Sequence, residues 1–174
     1  MRLLRTGSVL TAAALAVLAL AGVAGAADGD TARGGGIELV VPDGWSRVQP
    51  VRQAPTDDPR TVLVIGTDGV HAIDTDCQVS SYHVPADGAA VVVIGWHDPI
   101  GASQFLPLSG LKLRRGTFQC FPDRGAVAQV TRRGLDYQVN VMVGDRASAE
   151  IERAASSAAS RLSRAEPDRP SARA

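Results

Sequence analysis

The chain has 174 residues, with 18 basic and 18 acidic side chains, 45% hydrophobic residues and 4% aromatic ones. So even a balance supplies no global field to gather nucleic acid or an anionic membrane surface, and functions that rest on bulk electrostatic attraction are excluded. Once a leader and a frayed tail are discounted, roughly 135 residues remain, enough for one domain with a real core and not for two.

The N-terminus has the three parts of a secretory signal peptide. Arg2 and Arg5 make a positive start, Val9 to Val23 is almost wholly apolar, and Ala24-Gly25-Ala26 is a small-x-small cleavage site. The reading is a signal peptide over 1–26 and a secreted protein of the extracellular space or cell envelope. The alternative is a retained anchor, because Ser8 to Ala27 approaches the ~20 residues that span a bilayer. The Ala-rich composition and the AxA end argue for cleavage, and membrane contact is expected only through this segment if it is kept. No cysteine lies near the cut, so lipid attachment there is unavailable.

Residues 27–36, ending in TARGGG, read as a flexible lead-in, since three glycines maximise backbone freedom. A globular unit is expected over 37–163. IELVV (37–41) has the β-branched, apolar character of a strand, PDG (42–44) supplies a turn, and Trp45 plugs that turn against the core. The segment 46–60, with three prolines and no periodicity, reads as an exposed loop. TVLVIG (61–66) is a strand, with VHAI (70–73) expected to return beside it as a hairpin partner. CQVSSYHV (77–84) is a weaker strand. AVVVIGW (90–96) is a continuous apolar run of strand length, the mark of a strand covered on both faces, and is expected at the sheet centre. Residues 97–110 read as a long crossing loop stapled to the core by Phe105 and Leu106, and loops of this length are often functional.

Two hairpins follow. In 135–143, Leu135, Tyr137, Val139, Val141 and Val143 alternate with Asp136, Gln138, Asn140 and Met142, so the odd positions are expected to face the core. A two-residue turn at Arg133-Gly134 then pairs Val130 with Tyr137 and Ala128 with Val139, keeping apolar partners together. The same test on the preceding hairpin predicts a three-residue loop, Asp123-Arg124-Gly125, with Gly125 left-handed. Cys120 would then oppose Ala128, Phe118 would oppose Val130, and Arg115 would oppose Arg133. After 143 comes a helix, with Asp145 as its expected N-cap and Ala147, Ile151, Ala154, Ala155, Ala158 and Leu162 as its buried face. Residues 164–174 have the composition of a disordered tail.

The two cysteines, Cys77 and Cys120, predict one disulfide, because exported thiols are driven to oxidise and an even pair has no third partner. A closed loop of about 42 residues would contribute near 4 kcal/mol in the chain-entropy account. Thiol catalysis would need a CxxC or Cys-His motif, and zinc more ligands at shorter spacing.

No catalytic residue, metal ligand set or cofactor is assigned. His71, Asp74 and Asp76 fall within six residues and could supply a loop metal site, but a polar turn before Cys77 is the simpler account. His97 and Asp98 are neighbours on a strand end and point apart. GxSxG, GxGxxG, Walker and HExxH patterns are not written in the chain. Lys112, Arg114, Arg115, Arg132 and Arg133 cluster in the expected register. They read either as solvated charges guarding a sheet edge or as an anion patch.

VPDGW after an early strand, YHVPADGAAVVVIGW, a CF…G hairpin and YQVNVMVG running into an Ala-rich helix together resemble small exported proteins of high-GC actinobacteria without an assigned function, over Ile37 to Leu162. VPDGW is also similar to the opening of the PsbP/Mog1-type α/β/α sandwich. Neither resemblance implies catalytic residues. The expected fold is α+β: a single domain, a twisted antiparallel sheet of about five to seven strands with one C-terminal helix packed on it. The expected function is an exported non-enzymatic binding or structural module whose partner is a protein or envelope component and not nucleic acid. The alternative is a secreted hydrolase or metal-dependent enzyme using His71, His83 or His97.

Overall fold

The structure, a computed structural model, describes residues 30–50, 58–74, 81–97, 106–116, 121, 123–132 and 134–165. In chain order the strands are β1 (Thr31–Gly34), β2 (Ile37–Val40), β3 (Ser46–Arg47), β4 (Arg60–Gly66), β5 (His71–Ala72), β6 (Tyr82–His83), β7 (Ala89–Trp96), β8 (Leu106–Pro107), β9 (Arg114–Arg115), β10 (Arg124–Arg132) and β11 (Leu135–Val143). Helix α1 (Ala149–Ser160) and strand β12 (Ser163–Arg164) complete the chain, and Leu108–Gly110 forms a single 3-10 turn after β8.

The main sheet has seven strands in the order β3-β4-β7-β11-β10-β8, with β9 also paired to β10. The apolar run of β7 lies inside it, and every residue from Ala89 to Ile94 is at most 2% exposed. Such burial needs cover on both faces, and two apolar clusters supply it. On the first face α1 packs with Ala155, Ala158 and Ala159, each 0% exposed. A surface of methyl groups lets the helix axis sit close to the sheet. On the second face Val70, Tyr82, Val84 and Phe121 close over Val64, Val92, Ile94 and Met142. The expected fold class is therefore observed: one α+β domain with a seven-stranded sheet and one helix.

The β10–β11 hairpin has the predicted register, with Val130 opposite Tyr137 and Ala128 opposite Val139. The odd positions of β11 face the first cluster as predicted, but the strand is covered on its other face too. Asp136, Asn140 and Met142, expected on the solvent side, are at most 1% exposed because the second cluster covers that face.

Several local expectations are corrected. TARGGG is not slack: β1 and β2 form an antiparallel hairpin, with Gly34 opposite Ile37 across Gly35-Gly36. Both turn glycines have positive φ, 58° and 77°, the geometry of a two-residue hairpin turn whose twist matches the strands. Together with β12 this hairpin makes a separate three-stranded sheet. Val70–Ile73 does not return along β4; β5 pairs with β6 in its own ribbon. Leu106, expected as a staple, is 41% exposed and pairs in parallel with β10 at Val130.

The register predicted for the hairpin before β10 fails at its described positions. The edge of β10 at Val130 is taken by Leu106, and Phe118 lies outside the described residues. Arg115 opposes Ala126, not Arg133, and Gly125 is a strand residue opposite Met142. Helix α1 starts later than Asp145. Its N-cap is Ser148, whose hydroxyl accepts from the Ile151 N–H at 3.3 Å. The backbone just before it is committed elsewhere: the Gly144 and Arg146 N–H groups donate to Gly88 and Ala86 carbonyls at 2.9 and 2.7 Å. Cys77, Cys120, Phe105, the 1–26 signal peptide and most of the predicted tail lie outside the described residues.

Candidate functional site

A wide concavity follows from how little of the first face a helix of 12 residues can cover. Beyond α1 the floor is formed by Ala126, Val141 and Val143 of the β10–β11 hairpin. The segment Leu111–Gly116, held to β10 by two ladder positions, stands as the opposite wall. The resulting groove encloses about 1370 Å³. Leu111 and Leu113 add apolar surface to the wall, and Glu152, Ser156 and Ser160, four residues apart, present one side of the helix to it.

The groove carries charge of both signs. Arg124, at the start of β10, donates to Glu152 Oε2 at 3.0 Å and to the Gly144 and Ala147 carbonyls at 3.3 and 3.2 Å. It thereby ties the strand to the approach of the helix. Asp123 and Asp145 flank this junction, since β10 begins beside the end of β11. Arg115 and Lys112 lie along the wall. Among the described residues Lys112, Arg115, Asp123 and Asp145 form no ion pair, so their charges remain available to a ligand.

The basic residues singled out in the sequence are therefore divided. Lys112 and Arg115 share the groove. Arg114 is the neighbour of Arg115 on a strand and is exposed, outside the groove lining. Arg132 stands at the far end of β10, where its Nη1 donates to the Gly36 carbonyl at 2.6 Å. Arg133 is outside the described residues. Arg124 and Glu152 were missed because 28 residues separate them and no spacing rule joins them. A smaller cleft of about 370 Å³, lined by Arg47, Gln49 and Arg60, also carries no sequence signal.

The histidines are placed differently from either reading of them. His71 and His83 are directly opposite across β5–β6, with ring centroids 4.9 Å apart. Both are exposed and stand outside the groove. His97 is elsewhere, its N–H donating to Asp58 Oδ1 at 2.8 Å. Asp76 and Asp98 fall outside the described residues, and Asp74 is exposed beyond β5. Among the described residues no group of three or more His, Cys, Asp or Glu side chains gathers as a metal centre.

The titration of Tyr137 is shifted. Burial pushes its phenol above the ordinary value of 10.0, and the nearby Arg132 guanidinium partly offsets this. No family model, curated protein or solved structure matches the chain.

Proposed function

We propose that the protein is an exported, non-enzymatic binding module of the cell envelope or extracellular space, and that the groove between α1 and the Leu111–Gly116 wall receives an extended segment of a partner protein. The observation that carries this reading is the groove's make-up. An apolar floor of Ala126, Val141 and Val143 is bordered by carboxylates and cations that form no ion pair among the described residues. Apolar floors supply affinity and a few placed polar groups supply orientation. An extended peptide with apolar side chains and charges of both signs fits such a layout. A uniformly anionic polymer fits it less well, because Asp123 and Asp145 would repel it. Support for export comes from the leader-like residues 1–26.

The test is site-directed photo-cross-linking in the native envelope. Benzoylphenylalanine at Ser156, on the helix side of the groove, should give a discrete protein adduct, and the same probe at exposed Asp43 should give none. Identical adducts from both positions, or none from Ser156, would defeat the reading.

A further inference from the structure

The β5–β6 ribbon carries a feature that the groove does not use. Its inward side chains are anchored: Val70, Tyr82 and Val84 are 9%, 4% and 7% exposed within the second apolar cluster. Period-2 alternation along β6 then turns His83 outward between Tyr82 and Val84, and cross-strand pairing sets His71 directly opposite it. The rings lie 4.9 Å apart with 39° between their planes. Two exposed imidazoles are thus held side by side on a ribbon whose other face is fixed in the core.

The hydrogen bonding of His71 adds direction. Its Nδ1 lies 2.8 Å from the Gly69 carbonyl oxygen, which can only accept, so Nδ1 carries the proton. The lone pair of the neutral ring is then on Nε2, which has no hydrogen-bond partner among the described residues. A backbone carbonyl holding one imidazole nitrogen so that the other is free is the arrangement that orients histidine ligands on metals. The carbonyl is itself set by the turn at Gly69, which has φ 80° and is closed by the Val70 N–H donating to Thr67 O at 3.3 Å.

From this geometry we infer that His71 and His83 form a two-imidazole site for a divalent late first-row transition ion, with solvent completing the coordination shell. Metal–nitrogen bonds of about 2.0–2.1 Å require the two ligating nitrogens to approach within roughly 3–4 Å. Rings already 4.9 Å apart between centroids reach this by small side-chain rotations. Imidazole pairs suit Cu(II), Ni(II) and Zn(II) and not Mg(II) or Ca(II), and Cu(II) binds tightest in that series. Both rings must be neutral to bind, so complex formation competes with protons.

Isothermal titration calorimetry of the purified protein with the chlorides of Cu(II), Ni(II) and Zn(II), in a non-coordinating buffer, tests the site. One ion per chain is expected, with Cu(II) the tightest. Loss of an outer-shell partner already costs about tenfold or more in metal affinity, so His71→Ala and His83→Ala should each lose at least that. The double variant should bind no more tightly than either single one, because a lone imidazole keeps only the weak affinity left once the chelate is broken, and His97→Ala should bind like the parent. Both side chains are exposed, so the melting temperature should not move, and His83→Gln repeats the test with size and polarity kept. Affinity unchanged in His71→Ala or His83→Ala, loss in His97→Ala, or absence of one-to-one binding in the parent would each overturn the inference.

Discussion

The Tyr137 hydroxyl donates to the Gly35 carbonyl at 2.8 Å, joining the central hairpin of the main sheet to a turn 102 residues earlier in the chain. Arg132 fastens the adjoining Gly36 carbonyl at 2.6 Å, so both carbonyls of the β1–β2 turn are held by the β10–β11 hairpin. Tyr137→Phe keeps the ring in the first cluster and leaves Gly35 without its donor. Chemical denaturation should show a loss of about 1 kcal/mol, the usual net worth of one such bond.

Alkaline stability should depend on the same phenol. Its pKa in the folded protein lies above the ordinary 10.0, first because of burial, with Arg132 acting the other way. The folded form therefore holds the proton more tightly than the unfolded chain. This contribution is complete below pH 10 and is lost as pH rises from there through the raised value. Melting temperatures taken between pH 9 and pH 11 should fall more steeply for the parent than for Tyr137→Phe.

Gly34 and Gly36 should respond to alanine unequally. A Cβ at Gly36 meets nothing closer than the Tyr137 hydroxyl at 3.9 Å, so the cost is that of its positive φ, about 1–2 kcal/mol. At Gly34 a Cβ would collide with the backbone carbonyl of Val62, which sits at the register shift of β4 and cannot rotate away. Gly34→Ala should be the more destabilising of the two in equilibrium unfolding.

Asn140 offers a gain. It is 1% exposed, its Nδ2 has no hydrogen-bond partner among the described residues, and its ladder neighbours are Val92 and Val127. Its Oδ1 accepts from Gln138 Nε2 at 2.9 Å, but Gln138 is only partly buried and can turn to water. Asn140→Val removes a stranded donor at similar volume and adds a β-branched residue to a central strand. Stability should rise by about 1 kcal/mol, read as a higher denaturation midpoint at unchanged slope.

Legibility in the sequence followed the range of the interactions involved. The register of β10 and β11 could be read because alternation and a two-residue turn are local, and a slip would have set Val130 against Asp136. The place of β7 could be read because an unbroken apolar run admits only a covered strand. The β1–β2 turn could not: consecutive glycines have no periodicity, and what orders them is Tyr137 and Arg132, about a hundred residues away. The register around Arg115 was not legible: β9 has two residues, and the edge of β10 further on is taken by the equally short parallel strand Leu106–Pro107, neither long enough to carry a pattern. The groove likewise depends on Arg124 meeting Glu152 and on where a short helix stops covering the sheet, which no spacing in the chain records.

The claim that the groove is the binding surface is tested most directly by filling it. Ala126 lies on the floor, half-buried beneath the open space, and Ala126→Trp places an indole there while leaving the helix face untouched. With the photo-probe at Ser156, the adduct should disappear in the Ala126→Trp background and persist in an Asp43→Trp background. Persistence of the adduct with the groove filled would contradict the account.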